Sequence, residues 1–133
     1  MNLVLDTHIW VWWLTPGSPL KSSERKALDL AAEKRALHIA AISLWEVQLL
    51  SAKHRLELSA PFAEWIIRAA APGVVSVLPL DVEVVLAAAR LPPWFHGDPA
   101  DRLIVATAQS RTLPLATHDA AIRKSRLVRL WNP

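Results

Sequence analysis

Short apolar runs alternate with longer segments of helical periodicity along the chain. The apolar runs are rich in Val, Leu and Ile and are apolar on both faces, which is typical of strands buried within a parallel sheet. They predict strands at residues 2–6, 37–43, 74–80, 113–117 and 127–131.

The segments between these strands predict helices, because their apolar residues recur every three or four positions. Their ends also carry helix signals: Ser22 or Ser23 can cap one helix, and Asp98 before Pro99 can cap another. The predicted helices lie at residues 22–36, 43–56, 60–73, 81–93, 98–111 and 119–125, with a short helical or irregular stretch at 7–17. Strands that alternate with helices indicate the α/β class, with a parallel sheet covered on both sides.

Composition narrows the class of protein further. The chain has 133 residues, enough for one domain with its own core, and no Cys, which excludes disulfides and thiolate metal sites. No apolar stretch approaches the ~20 residues that span a bilayer. No Lys or Arg precedes the first acid, which argues against a signal peptide. We therefore expect a cytoplasmic protein without a membrane partner.

Charge is distributed unevenly. The segment from Arg111 to Pro133 has five cations and one acid, a net charge of +4, whereas residues 1–110 have ten cations and eleven acids and sum to −1. A basic segment can follow a phosphate backbone, but a solvated basic surface explains the charge equally well.

Two of the predicted strands end directly on carboxylates. Asp6 follows the first strand, and Asp119 lies two residues beyond the strand at 113–117. Ligands of parallel sheets bind beyond the carboxyl ends of the strands, so the two acids can share one rim. Glu46 interrupts an apolar run after the second strand, and Asp98 and Asp101 share one face of a helix start.

Several carboxylates brought together repel one another unless they are protonated or bound to a cation, and oxygen ligands suit Mg²⁺ or Mn²⁺. Structural roles remain open for some of them: Asp98 and Asp119 can each cap a helix, and Asp101 can favour the helix dipole or pair with Arg102. The three glycines form no phosphate-binding fingerprint, and no serine-hydrolase elbow is present.

Four motifs in order resemble the PIN-domain ribonucleases, and among them the VapC-type toxins of toxin–antitoxin pairs. They are an apolar strand ending in Asp6 and Thr7, the Ser-x-x-Glu stretch of Ser43 and Glu46, "HGDPADRLIVATA", and the Thr-x-Asp of Thr117 and Asp119. The resemblance covers essentially the whole chain. It implies one PIN-like domain over residues 1–133, a three-layer α/β fold with a central, mostly parallel sheet flanked by helices.

The resemblance also implies the site and its chemistry. Asp6, Glu46, Asp101 and Asp119 would be the catalytic, metal-binding acids, with Asp98 as a further candidate metal ligand. Thr7, Ser43 and Thr117 match polar positions that orient acids or water, although Thr7 and Ser43 can instead cap helices. The implied cofactor is Mg²⁺ or Mn²⁺ and the implied reaction is hydrolysis of RNA. The role of His96 stays open.

The implied partners are a second copy of the chain, in a homodimer, and a cognate antitoxin. Trp10 and Trp13, close in sequence to Asp6, are candidates for a groove that accepts the antitoxin, and core packing is the alternative for both. Arg102, Arg123 and Lys124 are candidates for contacts with RNA phosphates.

Two other functions remain open at this point. One is a non-catalytic RNA- or protein-binding domain of the same fold, which a missing acid would favour. The other is a phosphoacceptor domain, but His8 stands where a D-x-D motif needs its second Asp.

Overall fold

The computed structural model describes residues 1–95 and 97–133. In these residues four strands alternate with seven helices. In chain order the elements are β1 (Leu3–Leu5), α1 (Thr7–Trp13), α2 (Ser22–Glu33), β2 (Leu37–Ala40), α3 (Ala41–Ala52), α4 (Phe62–Ala69), β3 (Ser76–Leu78), α5 (Val82–Ala89), α6 (Pro99–Arg111), β4 (Leu115–Ala116) and α7 (Ala120–Ser125).

The four strands form one parallel sheet in the order β3-β2-β1-β4. In register, Leu3 of β1 pairs with Leu37, and Val4 pairs with Leu115 of β4. The chain builds the sheet outward from β1 on one side and returns to add β4 on the other, so β1 and β4 mark the point where the strand order reverses. Their carboxyl ends, which carry Asp6 and the segment after Ala116, therefore meet at one edge.

Helices cover both faces of the sheet, because alternate residues of each strand point to opposite sides. On one face Leu3 and Leu5 pack with residues of α1, α2, α3 and α4 in the larger core. On the other face Val4 and Leu115 pack with residues of α6 and α7, and α5 packs against α6. The predicted three-layer α/β architecture is confirmed, and every pair of strands in it is parallel.

The structure corrects several predicted boundaries. The predicted strand at 127–131 is reduced to one parallel bridge between Leu115 and Leu130, because β4 is only two residues long and offers little to pair with. The strand predicted at 37–43 ends at Ala40, since α3 already begins at Ala41. The helix start predicted at Ser22 or Ser23 has Lys21 as its N-cap, with the Lys21 N–H donating to Glu24 Oε1 at 3.0 Å.

In the part of the chain that the structure describes, no helix combines the length and the hydropathy needed to cross a membrane.

Candidate metal centre

Asp6 is fixed at the carboxyl end of β1 as the N-cap of α1. Its Oδ1 accepts a hydrogen bond from the Thr7 N–H at 2.8 Å, and its Oδ2 accepts one from Thr117 Oγ1 at 2.7 Å. The side chain is buried. Burial raises the pKa of Asp6 above its ordinary value, although both hydrogen bonds favour the charged form. A buried carboxylate held by two donors is ready to receive a cation.

Glu46, Asp98 and Asp101 form a tight carboxylate triad. One oxygen from each lies within 4.8 Å of those of the other two. Helix α3 brings Glu46 to this point, while the first turn of α6 brings both aspartates. Asp98 is also the N-cap of α6, since its Oδ1 accepts a hydrogen bond from the Asp101 N–H at 3.0 Å. Capping and a place in the triad are therefore compatible in Asp98.

Burial and closely spaced acids both shift the pKa values of Asp101 and Glu46. Burial raises the pKa of Asp101 to about 8, and the negative charges of Asp6, Asp98, Asp119 and Glu46 add to this effect. Burial likewise raises the pKa of Glu46 against the opposing effect of a hydrogen bond with Thr7, and the charges of Asp6 and Asp98 add smaller effects in the same direction as burial. These shifts indicate a site whose charge is relieved either by protons or by a cation.

Asp119 borders the same cleft from the end of β4. Its Oδ1 accepts a hydrogen bond from the Ile122 N–H at 2.9 Å, so Asp119 caps α7. Helix capping was one of the roles that the sequence left open for this residue. Its own N–H donates to Thr117 Oγ1 at 3.0 Å. Thr117 thus links the two strand-end acids through one hydroxyl group.

A single open cleft of about 430 Å³ joins these groups. It is lined by all five predicted acids, Asp6, Glu46, Asp98, Asp101 and Asp119, together with His8, Trp12, Leu50 and His118. None of the described residues that line it is Lys or Arg. Oxygen ligands from four elements suit a hard divalent metal ion.

Thr7 and Ser43 lie beneath the acids. Thr7 Oγ1 donates to Ser43 Oγ at 2.8 Å, and both side chains are buried. The alternative that they cap helices is wrong, because the N-cap residues of α1 and α3 are Asp6 and Ala40. Their hydroxyl groups instead connect the first turns of α1 and α3, the helices that begin after Asp6 and contain Glu46.

No motif in the sequence predicted the two imidazoles on the aromatic side of the cleft. The Trp12 ring lies between two imidazoles, with ring centroids 5.6 Å from His8 and 5.5 Å from His118. His118 Nε2 lies 2.8 Å from Glu24 Oε2. The available signal was sequence position. His8 lies two residues after Asp6, His118 directly precedes Asp119, and Trp12 follows His8 by one helical turn.

The cations predicted to contact RNA lie on two different helices, α6 and α7. Arg102 Nη1 donates to the Phe95 carbonyl at 3.1 Å, and Arg123 Nη1 donates to the Thr117 carbonyl at 2.9 Å. Arg123 and Lys124 are both exposed on α7. His96 lies outside the described residues.

The two tryptophans predicted for an antitoxin groove differ. The Trp10 side chain has no exposed surface and its Nε1–H donates to the Ala69 carbonyl at 3.1 Å. A groove role for Trp10 is therefore wrong, because a fully buried ring reaches no partner. Trp13 is half-buried, and its Nε1–H donates to Asp29 Oδ1 at 2.8 Å.

The sequence of the chain is similar to those of known proteins. Residues 3–126 match the model of the PIN domain family. Ribonuclease VapC22 of Mycobacterium tuberculosis is 35% identical over 125 residues, which cover 94% of this chain and 92% of that protein.

Solved structures with the same fold come from three complexes. VapBC2 from Rickettsia felis, bound to a promoter DNA fragment, superposes with a TM-score of 0.76 at 18% identity, covering 99% of this chain and 98% of its own. FitAB bound to the IR36 DNA fragment superposes with a TM-score of 0.72 at 23% identity, covering 98% of this chain and 94% of its own. FitAcB from Neisseria gonorrhoeae superposes with a TM-score of 0.73 at 22% identity, covering 98% of this chain and 96% of its own. At these identities the superpositions establish the fold. With the family match and the similarity to VapC22, they lead to one conclusion: the chain belongs to the PIN-domain family.

Proposed function

We propose that this protein is a divalent-metal-dependent endoribonuclease that acts as the toxin of a toxin–antitoxin pair. The observation that carries the proposal is the convergence of five carboxylates in one cleft, at the edge where β1 and β4 end. Membership of the PIN-domain family and similarity to a VapC ribonuclease support the nuclease activity.

The residues fit a divalent cation. Glu46, Asp98 and Asp101 offer oxygens within 4.8 Å of one another. Burial and the surrounding carboxylates raise the pKa of Asp101 to about 8, and a cation would offset both effects. We assign these three and Asp6 as candidate ligands for Mg²⁺ or Mn²⁺, with Asp119 at the border of the site. When bound, such an ion supplies an activated water and stabilises the negative charge of a phosphodiester.

The chain itself contributes positioning. Thr117 Oγ1 and the Thr7 N–H fix both oxygens of Asp6, so the carboxylate has little freedom to turn away. The hydrogen bond between Thr7 and Ser43 ties the start of α1 to α3, which sets the separation of Asp6 and Glu46. Ligands that are oriented by such neighbours lose less conformational entropy on binding a cation.

The proposed partners are RNA, a cognate antitoxin and a second copy of the chain. The related complexes VapBC2 and FitAB support an antitoxin partner, and we propose that the protein acts on RNA in the cytoplasm. Expression of the chain alone in a bacterial host would then arrest growth, and co-expression of its cognate antitoxin would relieve the arrest.

Cleavage of RNA by the purified protein tests the proposed activity. Total RNA is incubated with Mg²⁺ or Mn²⁺, or with EDTA, using the wild type, Asp6→Asn, and Glu33→Gln as a control on the exposed end of α2. Discrete fragments from the wild type and Glu33→Gln, absent with EDTA and with Asp6→Asn, are expected. Fragments that persist with Asp6→Asn would contradict the proposed centre. Metal binding without cleavage of any RNA would favour the non-catalytic binding domain.

A further inference from the structure

A second recess adjoins the acidic cleft. Its volume is about 550 Å³, within the range of ~300–1,000 Å³ that is common for ligand pockets. Lys21, Ser23, Glu24, His118, Arg123 and Trp131 line it, along with the last two residues of the chain. His118 lines both cavities, so the recess begins where the cleft ends.

His118 forms the boundary between the two cavities and is held by contacts on both sides. His118 lies against the Trp12 ring on the side of the cleft and against the Glu24 carboxylate on the other side, at 2.8 Å. Glu24 also accepts a hydrogen bond from the Lys21 N–H. Although partial burial opposes it, these interactions lower the pKa of Glu24, so this acid is charged and engaged by its neighbours. Its charge also attracts Lys21, one of the two cations of the recess.

The recess contains two cationic side chains. None of the described residues that line the acidic cleft is Lys or Arg, so they offer no permanently charged donor to the phosphates on either side of a scissile bond. Lys21 and Arg123 are the cations beyond His118. The bond from Arg123 Nη1 to the Thr117 carbonyl fixes the guanidinium close to the end of β4, and its remaining N–H groups can bind phosphate oxygens.

The recess also contains an aromatic ring. Trp131 is half-buried, and its backbone N–H donates to the Leu115 carbonyl at 2.9 Å, which anchors the segment beside β4. Cations combined with an aromatic ring are the features with which proteins hold single-stranded nucleic acid.

We propose that this recess binds the nucleotide next to the scissile phosphodiester, with its phosphate held by Lys21 and Arg123 and its base stacked on Trp131. The inference rests on the proposed ribonuclease function and adds to it the path of the strand, which crosses the acidic cleft and passes His118 into the recess.

Binding of a fluorescein-labelled single-stranded RNA of mixed sequence tests the recess. Anisotropy is measured in EDTA over a series of KCl concentrations for the wild type, Lys21→Gln, Arg123→Gln and Trp131→Leu. Lys34→Gln and Arg35→Gln are matched controls, because Lys34 and Arg35 are exposed and lie before the amino-terminal end of β2, whereas the site lies at the carboxyl ends of the strands. Thermal unfolding of each variant verifies that it folds.

Each loss of a cation is expected to weaken binding about three- to tenfold and to reduce the slope of log K against log[KCl] by about 0.7. Trp131→Leu is expected to weaken binding about fivefold or more, and an abasic oligonucleotide should abolish that difference while the effect of Lys21→Gln remains. In cleavage assays Lys21→Gln should raise KM without lowering kcat.

Two failures are distinguishable. If the wild type cleaves RNA but Lys21→Gln and Trp131→Leu bind as well as the two controls, the recess is not on the strand's path and the inference is overturned. If the wild type cleaves no RNA with either metal, the proposed function itself fails.

Discussion

Thr117 connects two acids of the site through its hydroxyl group. Its buried hydroxyl donates to Asp6 Oδ2 at 2.7 Å and accepts from the Asp119 N–H at 3.0 Å. One side chain therefore sets the positions of two acids that lie 113 residues apart in sequence numbering, at the ends of neighbouring strands.

Replacing Thr117 by Val removes the hydroxyl while retaining the volume. Asp6 Oδ2 loses its donor, and we expect affinity for Mn²⁺ to fall about 10- to 100-fold, as for other partners of metal ligands. Titration calorimetry measures this, and Thr117→Ser, which retains the hydroxyl, should bind nearly as well as the wild type. Equal losses in both variants would mean that packing, rather than the hydrogen bond, matters.

Asp101 gives the metal-free protein an unusual dependence on pH. Its pKa is about 8 in the folded protein and ordinarily 3.8, so between these values the folded state holds a proton that the unfolded state has released. The stabilisation is complete below the ordinary pKa and is lost as the pH rises through 8. Half-buried His38 has the opposite effect on stability, because its partial burial lowers its pKa.

Urea unfolding in EDTA from pH 5 to pH 8 separates these effects. Compared with Asp101→Asn, the wild type should lose stability as the pH rises, since His38 is common to both and cancels in the difference. A difference that is constant with pH would show that Asp101 is ionised in the folded protein throughout this range.

At the scale of elements, α1 depends on a latch from α2. The Arg25 guanidinium donates to the Trp13 carbonyl at 2.6 Å, to the Trp12 carbonyl at 3.1 Å and to Ser18 Oγ at 2.9 Å. Of these acceptors, the Trp13 carbonyl lies at the end of α1, where carbonyls lack partners within the helix, whereas the Trp12 carbonyl also accepts from the Thr15 N–H and from Ser18 Oγ. The latch also holds the turn of α1 that carries Trp12 into the cleft.

Loss of this latch should destabilise the protein. Hydrogen bonds from a charged donor contribute ~1.5–3 kcal/mol, so Arg25→Ala should lower the free energy of unfolding by about 2 kcal/mol. Arg25→Lys should recover little, because an ammonium group cannot reproduce the planar set of donors. Denaturant unfolding provides the measurement, with Lys26→Ala on the exposed face as control. Full stability of Arg25→Lys would contradict the latch.

At the scale of the whole molecule, the outer face of α5 is the candidate surface for a second copy. Val82, Val85, Leu86 and Ala89 recur at helical spacing and are exposed, with Val82 at 74%. Leu80, just before the helix, is also exposed. A soluble monomer seldom leaves such a stripe uncovered, so we expect the proposed homodimer to form here.

Val85→Glu tests this surface. It should convert a dimer into a monomer by analytical ultracentrifugation without lowering the melting temperature much, because Val85 is already 53% exposed. Ile67→Glu, on the exposed face of α4, is the matched control and should remain dimeric. A dimer that persists in Val85→Glu would place the interface elsewhere.

The parts of this molecule that the sequence predicted are those with local signals. Asp6 and Asp119 end apolar strands, and parallel strands bring their carboxyl ends together, so their shared edge followed from pattern alone. Asp98 before Pro99 signalled the start of α6 and thus placed Asp101 one turn away. The parallel α/β class followed in the same way.

Features that depend on distant pairing had no local signal. The contact between His118 and Glu24 joins residues 94 positions apart, and the Trp10 ring is enclosed by α4, including Trp65 at a centroid distance of 5.0 Å. The apolar pattern of residues 127–131 favoured a strand, but the length of β4 decides how much of it pairs. Tertiary context, rather than propensity, settled each of these.

Calorimetric titration of the metal-free protein with Mn²⁺ at pH 7 tests most directly whether the converging acids form a metal centre. Performed in two buffers with different ionisation enthalpies, it reports both the affinity and the protons released. Because the pKa of Asp101 is about 8, saturable binding should release about one proton from that carboxyl group, and Asp101→Asn should bind more weakly and release fewer protons. Absence of saturable binding, or identical binding by Asp101→Asn, would contradict a metal centre in this cleft.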